Sequence, residues 1–444
     1  MSLRKFRVSF VVLLLAVLIL SLSGIHKSWA QEKLTIWTKF NADNPQVASD
    51  RWLQQAIAAY QTEKGVALEN TYIVYSEINT RLNVAVQAGG TVPDVAYIDS
   101  QSLGLFNNNE TLVDLTEWVK AAAWYSDLDP AALAACTTPD GKILCVPSSV
   151  TSHLSYYWKD LYPDGYPATT DEMLAAAPAL KDAGKYAITF KGAEGASVER
   201  FYGPLILSSG GTLVGENGTA TWANEGAVKA VQFARELIQN GYAPQVVLTT
   251  GFDFEEPFKR GEAGGFVAGS YSYVYLTPLT APSGETFDQA PPAEGFDKNA
   301  IAVGAAGDAG ELGFAPALSA PGGKPTSLVI ATAWAIPYGS GNEEGAKAFI
   351  DWQMQTPKNI EFAVGYGSLP SLLSAAKDEA FAAPYWQAVS KFKEETGVPA
   401  PGWTNYDQAI DLLSKAIVAC VSDPNVDILT QLQKAQDEYN ASLD

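Results

Sequence analysis

Tyrosine occupies every second position of GSYSYVYL (269–276), where Tyr271, Tyr273 and Tyr275 alternate with Ser270, Ser272 and Val274. Such rings can pack as one face of a strand, or they can offer flat, rigid area to a bound molecule. By period-2 alternation alone the strand reading leads. Groups suited to catalysis are sparse. Outside the first thirty residues the only histidine is His153, which leaves no credible Ser/His/Asp set, and no GxSxG or phosphate-cradling glycine loop is present. DFEE (253–256) supplies carboxylates of the kind a glycoside hydrolase needs, but they open a helix, where acids are expected for dipole reasons. With three cysteines, no CxxC and no Cys/His cluster, neither a metal site nor a cofactor is expected. Cys136 and Cys145 bracket TTPDGKIL, which reads as a hairpin with a Pro-Asp-Gly turn. In an oxidising compartment the two can form a short-loop disulfide, the alternative being two free thiols. Cys420 sits in a helical pattern and reads as core.

The elements that would position these groups begin after residue 30. Arg4, Lys5 and Arg7 precede an apolar stretch from Val8 to Leu22, and SWA (28–30) has small residues at the −3 and −1 positions. This is a secretory signal cleaved near Ala30–Gln31, and the product is expected to be soluble and exported, periplasmic or extracellular. No later stretch has the unbroken apolar run of a membrane helix. Residues 1–30 hold four basic residues and no acidic one, so their loss takes the formal net charge from −20 to −24. Such a surface repels nucleic acid and anionic membranes. The remaining length exceeds what one core usually serves, so two lobes are expected.

KLTIWT (33–38) reads as a strand, 45–63 as a helix with Leu53, Ile57 and Tyr60 on one face, and TYIVYS (71–76) as a second strand. SEINTRLNVAVQAGG (76–90) reads as a helix capped by Ser76 and stopped by Gly89–Gly90, and PDVAYID (93–99) as a third strand. This β-α-β-α-β order implies parallel strands in an open α/β sheet. Later strands fall at 186–190, 262–269 and 327–337. Helices fall at 199–208, 223–240, 342–355, 357–364, 384–395, 406–421 and 424–441. The Pro-, Gly- and Ala-rich stretch 277–325 reads as a surface connection or lobe crossing rather than core.

Six segments in order resemble the extracellular solute-binding proteins of bacterial ABC importers, in the sugar-binding branch similar to maltose-binding protein. They are LTIWTKFN (34–41), RLNVAVQAGGTVPDVAYIDS (81–100), LVDLTEWV (112–119), DGKILCVPSSVTSHLSYYWKDLY (140–162), FEEPFKRGEAGGFVAGSYSY (254–273) and AWAIPYGSGNEEGAKAFIDWQMQTPKNIEFAVGYGSLPSLLSA (333–375). The fourth departs from the family pattern at Trp158, where Asn is common, and at Ser148, where an aliphatic residue is usual. The resemblance implies an α/β, two-lobed periplasmic-binding-protein fold with a ligand cleft between hinge-linked domains. Residues 31–149 with about 313–358 would form the N-terminal lobe, and 150–312 with about 359–444 the C-terminal lobe. The implied activity is binding a mono- or oligosaccharide and delivering it, as a monomer, to the transmembrane permease of an ABC system. Alternatives are a polyol, peptide, polyamine or ferric-ion receptor (Tyr156–Tyr157 being a tyrosine pair) and, less favoured, a glycoside hydrolase.

A sugar asks for hydrogen-bonding groups toward its hydroxyls and flat rings toward its C–H faces. In open sheets such groups lie beyond the carboxyl ends of strands. On that rule and by resemblance, the ligand-binding candidates are Trp37, Lys39 and Asn41 after the first strand, Asp99, Ser100 and Gln101 after the third, and Thr151 in the crossing segment. From the second lobe come Glu199, Arg200 and Tyr202, then Ser368 in the loop before Pro370, and Trp403 and Tyr406 near the C-terminal helices. The resemblance also changes the reading of GSYSYVYL. It ends the strand at GGFVAG and starts a helix capped by Ser270, so Tyr271 and Tyr275 share a face and Tyr273 points elsewhere. Tyr271 then matches the family's stacking aromatic, with Tyr273 as a second contact and Tyr275 as packing.

Overall fold

The computed structural model describes residues 33–195, 197–288 and 302–443. The segment read as an export signal, its cleavage point and the side chain of Glu199 lie outside the described residues.

The first strand, β1 (Lys33–Thr38), buries Leu34, Ile36 and Thr38 on one face, as its alternation requires. The helix that follows, Ala48–Lys64, buries Trp52, Leu53, Ala56 and Tyr60 along one stripe and stops at Gly65 in the left-handed conformation, φ 72°. β2 (Ala67–Tyr72) pairs in parallel with β1, Lys33 opposite Ala67. This strand lies earlier than the expected 71–76. It is the sheet's edge and shows mostly polar residues, while the apolar run that suggested a strand leaves the sheet after Tyr72, with Tyr72, Val74 and Tyr75 exposed. The next helix is Ile78–Gln87, with Glu77 rather than Ser76 at its start and no side-chain cap. β3 (Val95–Asp99) is buried throughout and parallel to β1.

β4 (Val146–Thr151) lies in this first sheet and β5 (His153–Trp158) in the second, with only Ser152 between them. The second sheet continues with β6 (Tyr186–Phe190) and β7 (Ala263–Gly269), and a small hairpin follows, β8 (Leu279–Thr280) and β9 (Thr286–Phe287). β10 (Leu312–Ala315) closes the second sheet against β5. β11 (Ser327–Ala335) returns to the first, flanked by β3 and β4, and β12 (Leu369–Pro370) and β13 (Gly397–Pro399) add short edges. The orders are β12-β4-β11-β3-β1-β2, with β13 beside β11, and β10-β5-β7-β6. Both sheets are mixed, giving an α/β fold of two lobes.

Within 277–325, read as a surface connection or lobe crossing, the chain does pass from the second sheet to the first between β10 and β11, but parts of the described stretch before that crossing are core. Leu279, Ala281 and Phe287 are buried, as are Ala302, Val303 and Ala306 of the helix Ala302–Asp308 and Leu312 of β10. Small residues pack closely without a strong apolar periodicity, which hid them. The lobe assignment also shifts: β12 and β13, expected in the C-terminal lobe, pair in the first sheet. Residues 312–315 belong to the second sheet, and the helix Thr356–Tyr366 packs on the first lobe, with Phe362 4.6 Å edge-on from Trp52.

The two unusual residues of the fourth segment have plain structural roles. The Ser148 hydroxyl donates to the Thr332 carbonyl at 3.0 Å, tying β4 to β11. Trp158 is fully buried, donates from Nε1 to the Phe258 carbonyl and stacks on that ring at 5.3 Å. Cys136 and Cys145 are bonded, with Cα atoms 5.2 Å apart, across a turn in which Gly141 has φ 87°. Cys420 is free and buried.

Candidate functional site

A cleft of about 560 Å³ opens between the lobes. Its floor is built where strands end. Thr151 and Ile330 pair across β4 and β11, and Thr332 pairs with Asp99 across β11 and β3. Asp99 is followed by a single 3-10 turn carrying Gln101. His153, the first residue of β5, completes the floor.

The first-lobe wall carries Lys39 and Asn41 on the loop after β1. Asp50 shapes that loop. One of its carboxylate oxygens accepts from the Asn41 amide at 2.8 Å, the other from the Gln46 and Val47 amides at 3.0 and 3.3 Å. A single carboxylate in the helix's first turn thus fixes both helix start and loop. Lys39 Nζ donates to the Tyr366 hydroxyl at 2.8 Å and sits 4.5, 4.7 and 5.2 Å from the ring centres of Tyr75, Tyr366 and Tyr97. Removal from water lowers the pKa of this ammonium, Asp99 pulls it back up, and Arg200 adds to the lowering. The Tyr97 hydroxyl donates to Asp99 Oδ1 at 3.0 Å and lies 3.4 Å from that of Tyr366.

The second-lobe wall is built on β7. Gly269 at its end is required, because a Cβ there would collide with Cε1 of Tyr271 and come within 2.7 Å of its Cζ. The Tyr271 ring therefore folds back over the strand end. The Arg200 guanidinium lies 5.0 Å from its centre, His153 meets it edge-on at 6.4 Å, and Tyr366 and Tyr275 each lie 6.5 Å away. Tyr271 itself stands at the start of the one-turn helix Ser272–Tyr275. Ser270 does not cap it; its amide bonds to the Ser152 carbonyl, and its hydroxyl has no hydrogen-bond partner among the described residues. Glu255 also lines this wall, and burial pushes its carboxyl up to about 7 against the pull of Arg200 and Lys259. Tyr72, Val74, Tyr75 and Phe252 line the rim. Among the described residues these are four of the eight exposed large apolar side chains, so exposed apolar area concentrates at the cleft.

Of the candidates, Lys39, Asn41, Asp99, Gln101, Thr151, Arg200 and Tyr271 line the cleft. The others do not. Trp37 packs between two apolar clusters beside β1. The Ser100 hydroxyl accepts from the Ala331 amide and ties the turn to β11. Tyr202 is fully buried against Phe190 and Phe201. Tyr273 points away from the cleft and stacks on Tyr385 at 4.5 Å, as the helical register of its stretch demands. Ser368 is fully buried, its hydroxyl 3.5 Å from the Ala363 carbonyl, and Leu369–Pro370 pair with β4; Tyr366, just before Gly367, faces the cleft instead. Trp403 is fully buried, donates to the Leu213 carbonyl at 3.1 Å and packs against Trp222 and Tyr406, and neither it nor Tyr406 lines the cleft. Tyr275, expected as packing, lines the cleft, 3.2 Å from the Ser49 hydroxyl of the opposite wall.

Sequence reasoning missed Asp50, Tyr72, Tyr75, His153, Phe252, Glu255, Tyr275 and Tyr366. One signal was available for Tyr275, which stands four residues from Tyr271 on a helix. No group of three or more potential metal ligands occurs among the described residues. Tyr156 and Tyr157 are successive residues of β5 and point to opposite faces: Tyr156 bonds to Tyr385 at 2.8 Å, while Tyr157 stacks on Tyr166 at 5.3 Å. They cannot form one ferric site.

Comparison with known proteins agrees with this architecture. No curated protein matches the sequence. The GacH receptor of Streptomyces glaucescens, solved unliganded and with acarbose and an acarbose homolog, superposes with a TM-score of 0.76 at 19% identity, covering 93% of this chain and 98% of that one. Maltose-bound MalE3 of T. maritima gives 0.75 at 20%, covering 92% and 99%. An ABC-transporter solute-binding protein of Agrobacterium radiobacter K84 in complex with ribitol gives 0.75 at 21%, covering 93% and 98%. At these identities the likeness is one of fold. The sequence itself carries the family: the profile of the bacterial extracellular solute-binding proteins matches residues 55–392. The chain belongs to that family of ABC-system receptors, which bind solutes rather than transform them.

Proposed function

We propose that the cleft binds a carbohydrate, a mono- or oligosaccharide, and that closure of the lobes on it presents the sugar to an ABC permease. The observation that carries this reading is the pairing of ring faces with polar groups on both walls. Tyr75 and Tyr72 stand on one rim and Tyr271 and Phe252 on the other, while Asp99, Gln101, Lys39 and Arg200 converge below. A sugar has apolar C–H faces for the rings and edge hydroxyls for the rest. A ligand touching both walls stabilises the closed arrangement by its extra contacts there. The solved neighbours that hold maltose, acarbose or ribitol support a polyhydroxylated ligand.

The test is calorimetry and thermal melting against a panel of mono- and oligosaccharides, with polyols and polyamines alongside. At least one sugar should raise the melting point, by an amount equivalent to about 2.7 kcal/mol at a hundredfold excess over Kd. A panel without any carbohydrate response overturns the reading, and hydrolysis of a panel member would replace it with an enzymatic one.

A further inference from the structure

Among the described residues, two buried acceptor atoms of cleft-lining side chains have no hydrogen-bond partner. His153 is 1% exposed, and its ring Nδ1 lies 3.0 Å from the Leu328 carbonyl oxygen. A carbonyl cannot donate, so Nδ1 carries the proton and Nε2 keeps its lone pair. Nε2 has no hydrogen-bond partner among the described residues, and neither has Oε1 of Gln101, which is 7% exposed. The imidazole cannot readily turn to cure this. Its backbone amide donates to the Ser327 hydroxyl at 2.7 Å, that hydroxyl donates back to its carbonyl at 2.8 Å, and Tyr271 stands against the ring edge. Buried acceptors left unpaired are costly and uncommon, so the site lacks a donor hydrogen from outside the chain.

A carboxylate or a ring ether supplies no such hydrogen. A hydroxyl, an amide N–H or an ammonium does, and the local charges disfavour the last. Arg200 lies over the same Tyr271 ring that His153 meets at its edge, and Lys39 stands on the opposite wall. Asp99 offsets Lys39 across the tyrosine cage, and burial biases Glu255 toward its neutral form. Burial, with Arg200 assisting against the Leu328 hydrogen bond, takes the imidazole down to about 4, so it stays neutral at ordinary pH. An ammonium ligand would bring another positive charge beside Arg200. A hydroxyl brings none.

We propose that His153, fixed in one tautomer by Leu328, is a specificity-determining residue whose Nε2, together with Oε1 of Gln101 on the same cleft lining, reads hydroxyl hydrogens of a neutral ligand. This rests on the carbohydrate reading of the cleft and narrows it. A ligand with a hydroxyl at the position that meets His153 binds, and its deoxy counterpart is rejected.

The chain has two histidines, His26 and His153, so imidazole 15N spectra assigned with a His153→Gln variant isolate the ring. In free protein the His153 Nε2 signal should sit at the unprotonated position and stay there until about pH 4. Saturation with the sugar found by calorimetry should move it in the direction of hydrogen-bond acceptance. The natural protein should bind the matching deoxy sugar roughly 10- to 100-fold more weakly, and His153→Phe should bind parent and deoxy sugars alike. An Nε2–H tautomer in free protein overturns the assignment, as does a ring signal that ignores saturating sugar while the sugar binds. The carbohydrate reading survives that second result. Binding of polyamines alone overturns both.

Discussion

Two tyrosine-rich stretches face each other across the cleft, and they are held in different ways. In TYIVYS (71–76) only Ile73 is buried, at 2% exposure, while Tyr72, paired with Thr38 at the end of β2, and Tyr75, beside the Lys39 ammonium, are 46% and 42% exposed. In GSYSYVYL (269–276) the rings are seated. Tyr273 stacks in the core, Gly269 gives Tyr271 its place over the strand end, and Tyr275 reaches Ser49 of the other wall. The difference separates rings seated among protein side chains from rim rings that lie largely in solvent. Ordering a side chain at binding costs about 0.5–1.5 kcal/mol, so equal ring area should be worth more on the second lobe.

The sharpest separation lies within the second stretch. Tyr273→Ala should lower folding stability by about 3–5 kcal/mol through the cavity left against Tyr385 and Trp386, read by chemical denaturation, with unchanged sugar affinity in the folded fraction. Tyr271→Ala should do the reverse, weakening binding by about 2 kcal/mol in calorimetry with a melting point near that of the natural protein. If both variants lose stability and keep affinity, the stretch is only structural. Tyr75→Ala should cost about 1 kcal/mol of binding, less than Tyr271, since more of its ring lies in solvent; a larger loss than at Tyr271 would invert the comparison.

The smallest effect concerns pH. Glu255 is raised in the folded protein to about 7 from an ordinary 4.5, so the stability tied to its proton is present below 4.5 and is lost as pH rises through 7. Glu255→Gln cannot ionise. Its melting point relative to the natural protein should climb between about pH 5 and 8, by the equivalent of about 1 kcal/mol given its partial exposure. His153 acts with the opposite sign: its folded value near 4 means stability lost as pH falls from 6.5 through 4, a loss both proteins share. A pH-independent difference between the two proteins would place Glu255 in water.

The same contrast explains what could be read from sequence. β1, β3, β6 and β7 were legible because buried strands carry continuous or alternating apolar residues between turn signals. β2 was not, since an edge strand needs little apolarity and the neighbouring rim mimics it. For the site, the rule that ligands gather beyond strand ends reached Lys39, Asp99, Gln101 and Thr151, whose location follows from topology. It could not reach Trp403, whose fate depends on a carbonyl 190 residues away at Leu213. Nor could it reach Tyr72 and Phe252, whose exposure is known only once the lobes are assembled. The helical period separated Tyr271 from Tyr273 correctly, but which face met the cleft was a tertiary fact.

The crossing from β4 to β5 has a kinetic consequence. One residue, Ser152, links the two sheets there, and the Ser327 hydroxyl bonds to it at 2.8 Å where β11 begins. With so short a tether, a ligand resting on the first wall meets the second at a high effective concentration, because the second wall never diffuses away. Contacts too weak to capture a solute alone then lengthen its residence, and release becomes a matter of how often the tether lets the walls part.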